Sequence, residues 1–287
     1  MTNTRFIAEV CSNHNGSLKR CLDFVRKSKE IGCYAVKFQM FKIDELFSQD
    51  ILKKSEIHRD RKKWELNEKF IPIIAEECKR QKIKFGCTPF YIDAVKKLEK
   101  YVDFFKIGSY EILWTDLFSE CAKTGKPVIF STGMANNDEI KKAYQNLKKN
   151  KCKDISIMHC VSEYPANVNN CNLHYINYLR KNFKTKIGWS DHTKDQFLLN
   201  FICTNFNVDL VEFHLDLDGK GYEYGPGHCW KPEEINTVIN YKYRNNIFNQ
   251  INFKKTKKII SLKEKVERDW RADPRDGLRP LLKKRKK

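Results

Sequence analysis

One figure recurs from Arg5 to about Arg244: a short apolar run, a polar tip, then an amphipathic stretch with helical spacing. The runs are Phe6 to Cys11, Tyr34 to Gln39, Ile83 to Thr88, Val102 to Ile107, Pro127 to Ser131, Ile155 to Cys160, Lys186 to Trp189 and Asp209 to His214. Most of them are apolar nearly throughout rather than alternating. That is the mark of strands buried on both faces, hence of a parallel sheet covered by its crossover helices. Strand–helix units in this number close most economically as a (β/α)8 barrel. An open doubly wound sheet is the alternative, but no G-x-G-x-x-G follows the first run.

Local signals agree. Ser17 is placed to cap a helix carrying Leu18, Cys21, Leu22 and Val25 on one face, and Gly32 ends it. A long connection, Met40 to Lys63, precedes a helix expected from about Trp64 to Gln81. Asn136 with Glu139 reads as a capping box, and Pro232 opens what the pattern gives as the last regular helix. The expected division is a barrel domain over 1–245 and a short basic C-terminal extension over 246–287, whose final run from Leu282 to Lys287 is expected to be disordered.

Composition narrows the function classes. The 287 residues carry 55 Lys and Arg against 36 Asp and Glu, a formal charge of +19, so the expected partners are anionic: phosphate or carboxylate substrates, nucleic acid or acidic lipid. No nucleic-acid motif or aromatic stacking platform accompanies the charge, and a Lys-rich soluble surface accounts for most of it. No apolar run is long enough to span a membrane, and no secretory signal is visible. The 11 cysteines are scattered singly, without zinc-finger spacing, as small buried hydrophobes in a reducing cytoplasm would be.

A barrel of this kind carries its active site at the C-terminal ends of its strands. The polar residues there are Glu9; Lys37 and Gln39; Thr88; Lys106, Ser109 and Glu111; Ser131 and Thr132; His159, Ser162 and Tyr164; Ser190, Asp191 and His192; Glu212 and His214. Burying such a set costs free energy unless it is paired, so the collection points to a ligand. Lys37 and Lys106 with several hydroxyls suit a small phosphorylated carboxylate, although each lysine could equally pair with a local carboxylate. His192 and His214, on sequential strands, can hold a divalent metal, act as acid and base, or sit satisfied in the core. Glu9, Glu111, Glu163 and Glu212 are the acid/base candidates, with Glu111 first because Gly108 permits close backbone approach. A lysine nucleophile, Lys37 or Lys106, would make a Schiff-base aldolase instead.

These segments together resemble the sialic acid synthases, the N-acylneuraminate synthases. The resemblance rests on Ile7-Ala8-Glu9 with Asn13-His14-Asn15-Gly16-Ser17, Ala35-Val36-Lys37-Phe38-Gln39, Thr88-Pro89-Phe90, Phe105-Lys106-Ile107-Gly108-Ser109 with Glu111, and Ser131-Thr132-Gly133-Met134. It continues through His159-Cys160, Tyr164-Pro165, Ser190-Asp191-His192-Thr193 and Glu212 with His214. It implies a TIM barrel and condensation of phosphoenolpyruvate with an N-acyl hexosamine or related aldose. It implies that Lys37, Thr88, Lys106, Ser109, Ser131 and Ser190 surround phosphoenolpyruvate. It places Gln39 and Tyr164 on the sugar, gives Glu111 and Glu9 catalytic roles, and assigns a divalent manganese or magnesium to His192 and His214. It also suggests a homodimer.

Three departures stand out. The chain stops about 40 residues after the barrel, too few for the antifreeze-like domain that offers an arginine to the sugar in this family. Gly227 stands where a sugar-contacting aspartate is expected, and Ser162 where an asparagine is common. The phosphoenolpyruvate half is therefore expected intact and the sugar half rebuilt, with Arg271, Arg275 or Arg279 able to replace the missing arginine.

Overall fold

The computed structural model describes residues 4–240 and 258–285. Its strands are β1 (Arg5–Glu9), β2 (Ala35–Met40), β3 (Lys84–Pro89), β4 (Phe104–Ile107), β5 (Val128–Ser131), β6 (Ile155–Cys160), β7 (Lys186–Asp191) and β8 (Leu210–His214). They pair in sequence order, all parallel, and β8 closes on β1. This is the (β/α)8 barrel that the alternation predicts.

Around it lie α1 (Leu18–Glu30), α2 (Ile71–Gln81), α3 (Ile92–Glu99), α4 (Thr115–Lys123), α5 (Asn137–Lys149), α6 (His174–Asn182), α7 (Gln196–Phe201) and α8 (Pro232–Ile239). The caps are where the residues put them. Ser17 Oγ accepts from the Arg20 amide, Gly32 takes φ +88°, and Asn136 with Glu139 forms a capping box.

Three expectations need correction. The helix expected from Trp64 begins at Ile71, with Pro72 in its first turn, where a missing N–H leaves no bond unmade. Helix α8 is not the last: Ser261 and Glu264 form a capping box that starts α9 (Leu262–Glu267). The tail expected to be disordered is a helical turn at Leu282–Arg285, where Arg285 is buried, donates to the Pro280 carbonyl at 2.7 Å and pairs with Asp276. The boundary at 245/246 and residues 286–287 lie outside the described residues. All 11 cysteines are buried and free.

Two apolar zones follow from strand periodicity. One parity, with Ala8, Val36, Phe38, Phe85, Phe105, Phe130, Ile157, Trp189 and Phe213, packs outward against the helices. The other fills the barrel floor with Ile7, Ala35, Phe104, Ile129, Met158 and Leu210. Gly86 makes room there, since a Cβ on it would stand 2.2 Å from the Phe104 ring.

Candidate active site at the barrel mouth

Two residues beyond each floor residue, the same inward parity turns polar. Ile7 leads to Glu9, Ala35 to Lys37 and Gln39, Phe104 to Lys106, Ile129 to Ser131, Met158 to Cys160, and Leu210 to Glu212 and His214. The register brings them level: Glu9 lies beside Lys37 on one side and His214 on the other, and Ser190 beside Glu212. The result is a cavity of ≈ 590 Å³ at the C-terminal ends of the strands. Glu9, Lys37, Gln39, Thr88, Lys106, Ser109, Glu111, Ser131, Tyr164, Ser190, His192 and His214 all line it.

Parity also sorts out strand-tip residues that do not reach it. His159 points outward, its Nε2 bonded to the Cys171 carbonyl at 2.8 Å and its ring packed on Tyr175 and Trp189. Asp191 accepts from the indoles of Trp189 and Trp230, and Glu163 from Asn170 Nδ2. Thr132 donates to the Met158 carbonyl.

The deepest polar layer is a buried ionic cluster. Lys37 contacts Glu9, donates to Thr88 Oγ1 at 3.0 Å and lies 3.7 Å from Glu212. Lys106 donates to Ser131 Oγ at 2.7 Å and lies 3.3 Å from Glu212, which also accepts from Ser190 Oγ at 3.2 Å. Burial raises the proton affinity of the Glu212 carboxylate, but Lys106 and Lys37 outweigh it and hold its pKa below the usual value. Burial brings the Lys37 ammonium down to about 8. The two ammonium groups are thus paired with Glu9 and Glu212 and flanked by the hydroxyls of Thr88 and Ser131.

Above this layer stand three imidazoles. His192 Nδ1 is engaged with the Val161 carbonyl at 2.9 Å, which leaves Nε2 for the cavity. The His192 and His214 ring centres are 5.1 Å apart, and the Tyr164 ring packs tilted against His192 with centres 4.1 Å apart. His228, which sequence reasoning missed, lies 4.7 Å from His214 and 6.3 Å from His192. A metal about 2.1 Å from imidazole nitrogens sets ligating rings roughly 4.5 to 6.5 Å apart, a range these ring centres meet, but among the described residues the donor sets that close to within 4.8 Å are built on His214 and do not include His192. Nδ1 of both His214 and His228 is buried without a partner. Burial keeps both rings neutral, His214 well below its ordinary pKa and His228 down to about 3, the protonation state in which an imidazole can take a metal. Cys229 offers a donor atom within 4.8 Å of those of His214 and His228, and Cys11 and Glu223 offer donor atoms within 4.8 Å of that of His214.

The roof comes from afar. The β2 connection contributes Phe47, His58, Arg61 and Trp64, and the segment after α8 contributes Glu267, Trp270 and Arg279. Arg279 Nε donates to Glu111 Oε1 at 3.0 Å, and its guanidinium lies 4.4 Å over the Tyr110 ring. Glu111 Oε2 is buried and unpartnered, 2.7 Å from where a Cβ on Gly108 would stand. Of the three arginines expected to reach the site, only Arg279 does. Arg271 pairs with Glu139 and Arg275 with Asp273.

Residues 24–248 match the NeuB family. The chain belongs to that family. NeuB relatives include N,N'-diacetyllegionaminic acid synthase of Campylobacter jejuni, 33% identical over 251 residues, covering 82% of this chain and 74% of that protein. A Methanocaldococcus jannaschii protein of uncharacterised function is 36% identical over 242 residues, covering 83% of this chain and 69% of its own. Among solved structures, the sialic acid synthetase of Leptospira borgpetersenii superposes with TM-score 0.74 at 28% identity, over 83% of this chain and 82% of that one. The NeuB protein described here is thus a synthase-type enzyme on a TIM barrel, and among its described residues no helix is long and apolar enough to cross a membrane.

Proposed function

We propose that this NeuB enzyme condenses phosphoenolpyruvate with an N-acyl hexosamine or related aldose, giving a nonulosonic 2-keto-3-deoxy sugar acid and phosphate. One observation carries the reading: the Lys37 and Lys106 ammonium groups share a single cavity with the His192 and His214 imidazoles. The names of the legionaminic and sialic acid enzymes support the product class.

In this reading Lys37 and Lys106 neutralise the phosphate and carboxylate of phosphoenolpyruvate, with Thr88, Ser109, Ser131 and Ser190 as hydrogen-bond donors. Gln39 and Tyr164 orient the acceptor. A divalent metal, manganese or magnesium, held by His192 and His214 would supply Lewis-acid polarisation at the acceptor carbonyl. C3 of phosphoenolpyruvate attacks the carbonyl carbon, water adds to the cationic C2, and the tetrahedral adduct expels inorganic phosphate. Glu111, with its free Oε2, takes the proton from the attacking water, and Glu9 and Glu212 stabilise positive charge at C2. The homodimer implied by the family resemblance and the cytoplasmic setting expected from the scattered cysteines belong to the same proposal.

Gly227 takes φ +91° on an open loop, with nothing within 4 Å of a Cβ placed there. Without the family's aspartate at that position, an acceptor other than N-acetylmannosamine is expected. Incubation with phosphoenolpyruvate, Mn²⁺ and a panel of aldoses, read by phosphate release and product mass, tests the reading. No phosphate release with any acceptor overturns it. The lowered pKa of Lys37 is the feature a Schiff-base aldolase would use. Borohydride trapping of a lysine adduct, with indifference to chelators, would favour that mechanism.

A further inference from the structure

Four cationic side chains line the cavity, and among the described residues three are matched. Lys37 meets Glu9 and Glu212, Lys106 meets Glu212, and Arg279 meets Glu111. Arg61 is the exception. Its guanidinium lies over the rings of Trp64 and Phe47 at 5.4 and 5.9 Å, and its Nε is buried with no hydrogen-bond partner.

The carboxylates around it are engaged elsewhere: Glu111 is taken by Arg279, Glu267 accepts the Tyr110 hydroxyl, and Glu223 lies against His214 at 4.0 Å. Burial first and then the charge of Arg279 bear unfavourably on the Arg61 guanidinium and outweigh the longer-range attraction of Glu223 and Glu267, so it stands partly desolvated beside a second cation.

The two arginines come from segments stitched into one unit. Arg279 bridges Phe47, donating its N–H to the Leu46 carbonyl at 2.8 Å and accepting from the Ser48 amide at 2.9 Å. Gly277, at φ +74°, lets this strand pass flat over Trp114, where a Cβ would meet the ring at 2.3 Å. Segment 258–285 is pinned at its other end by Glu264, fully buried, which accepts from the Met134 and Ser162 amides at 2.7 and 3.0 Å. Two guanidiniums fixed at one end of a cavity, one of them unmatched, have the chemistry of an oxyanion receptor.

We propose that Arg61 and Arg279 form a subsite for an anionic group on the acceptor, a phosphate ester or carboxylate at the end remote from its reacting carbonyl. The inference rests on the condensation proposed above, in which the deep lysines already serve phosphoenolpyruvate.

The test uses the full chain with Mn²⁺, phosphoenolpyruvate and three matched acceptors: a neutral N-acyl hexosamine, its 6-phosphate and its 6-carboxylate. One anionic acceptor is expected to exceed the neutral one in kcat/KM by roughly 10- to 100-fold, the worth of a charge-assisted hydrogen bond. Which anion wins identifies the group. Arg61→Gln should erase that preference through the KM of the anionic acceptor, and Arg61→Lys should restore part of it. Equal use of all three acceptors overturns the proposal. So does an Arg61→Gln defect that falls on the KM of phosphoenolpyruvate, because it would assign the arginine to the other substrate. Calorimetric titration with the same compounds separates the two claims. Saturable, Arg61-dependent binding of an anionic sugar without turnover upholds the subsite and sinks the reaction, whereas turnover without anion preference does the reverse.

Discussion

Replacing Lys106 by Met removes one ammonium group and keeps much of the side chain's bulk. Glu212 is buried, with Lys106 at 3.3 Å and Lys37 at 3.7 Å. At an effective dielectric constant near 20, a pair about 3.5 Å apart interacts by roughly 5 kcal/mol. Truncating one partner of a buried pair typically costs about 3 to 5 kcal/mol, because the remaining charge is left undercompensated. For a chain of 287 residues with an unfolding entropy near 2.1 cal/mol/K per residue, that is a fall in Tm of roughly 5 to 8 °C. The same change should lower kcat/KM for phosphoenolpyruvate by about a thousandfold, since the lost group would neutralise an anion in a desolvated site. The double variant Lys106→Met/Glu212→Gln removes both charges and should regain most of the Tm without regaining turnover. Differential scanning fluorimetry with steady-state kinetics reads both arms. A Lys106→Met protein with unchanged Tm and ordinary kinetics toward phosphoenolpyruvate would refute the account of the ionic layer.

The Lys37 ammonium, lowered by burial to about 8, loses its proton as pH rises through that value, so kcat/KM for phosphoenolpyruvate should fall on the alkaline side with an apparent pKa near 8. Its stability term has the opposite sign: between about 8 and 10.5 the unfolded chain binds more protons than the folded one, so this group's contribution rises with pH. A rate that stays flat to pH 10 contradicts the assignment. Mn²⁺ binding followed by electron paramagnetic resonance should be lost in His214→Ala and weakened about 10- to 100-fold in His228→Ala. Unchanged affinity in the second variant removes His228 from the metal's surroundings. Glu264→Ala orphans the buried Met134 and Ser162 amides and should destabilise the fold by roughly 2 to 4 kcal/mol. Limited proteolysis should then cut first within 258–285, and an intact digestion pattern speaks against Glu264 as the anchor.

Most of the deep site was legible because barrel strands obey a period of two. Glu9, Lys37, Lys106, Ser131, Ser190, Glu212 and His214 share the parity of the floor residues, and local spacing alone puts them on the lumen side once the sheet closes. His159 shows the limit of reading tips without parity: it is one residue out of phase, and its ring belongs to the helix layer. The helix that apolar spacing predicts from Trp64 starts at Ile71 for a comparable reason: the spacing runs on upstream, while Pro72 marks the first turn.

Sequence by itself determined the strand–helix alternation, the closed parallel sheet and the ionic layer, because each follows from short-range periodicity and the need to bury apolar faces. Tertiary structure decided the roof. Arg61 and Arg279 are 218 positions apart, and His228 sits on a loop with no periodic signal. Nothing local specifies that they converge. Their meeting depends on backbone bonds between Leu46, Ser48 and Arg279 and on the docking of 258–285 across the strand tips, contacts that exist only after the chain has folded.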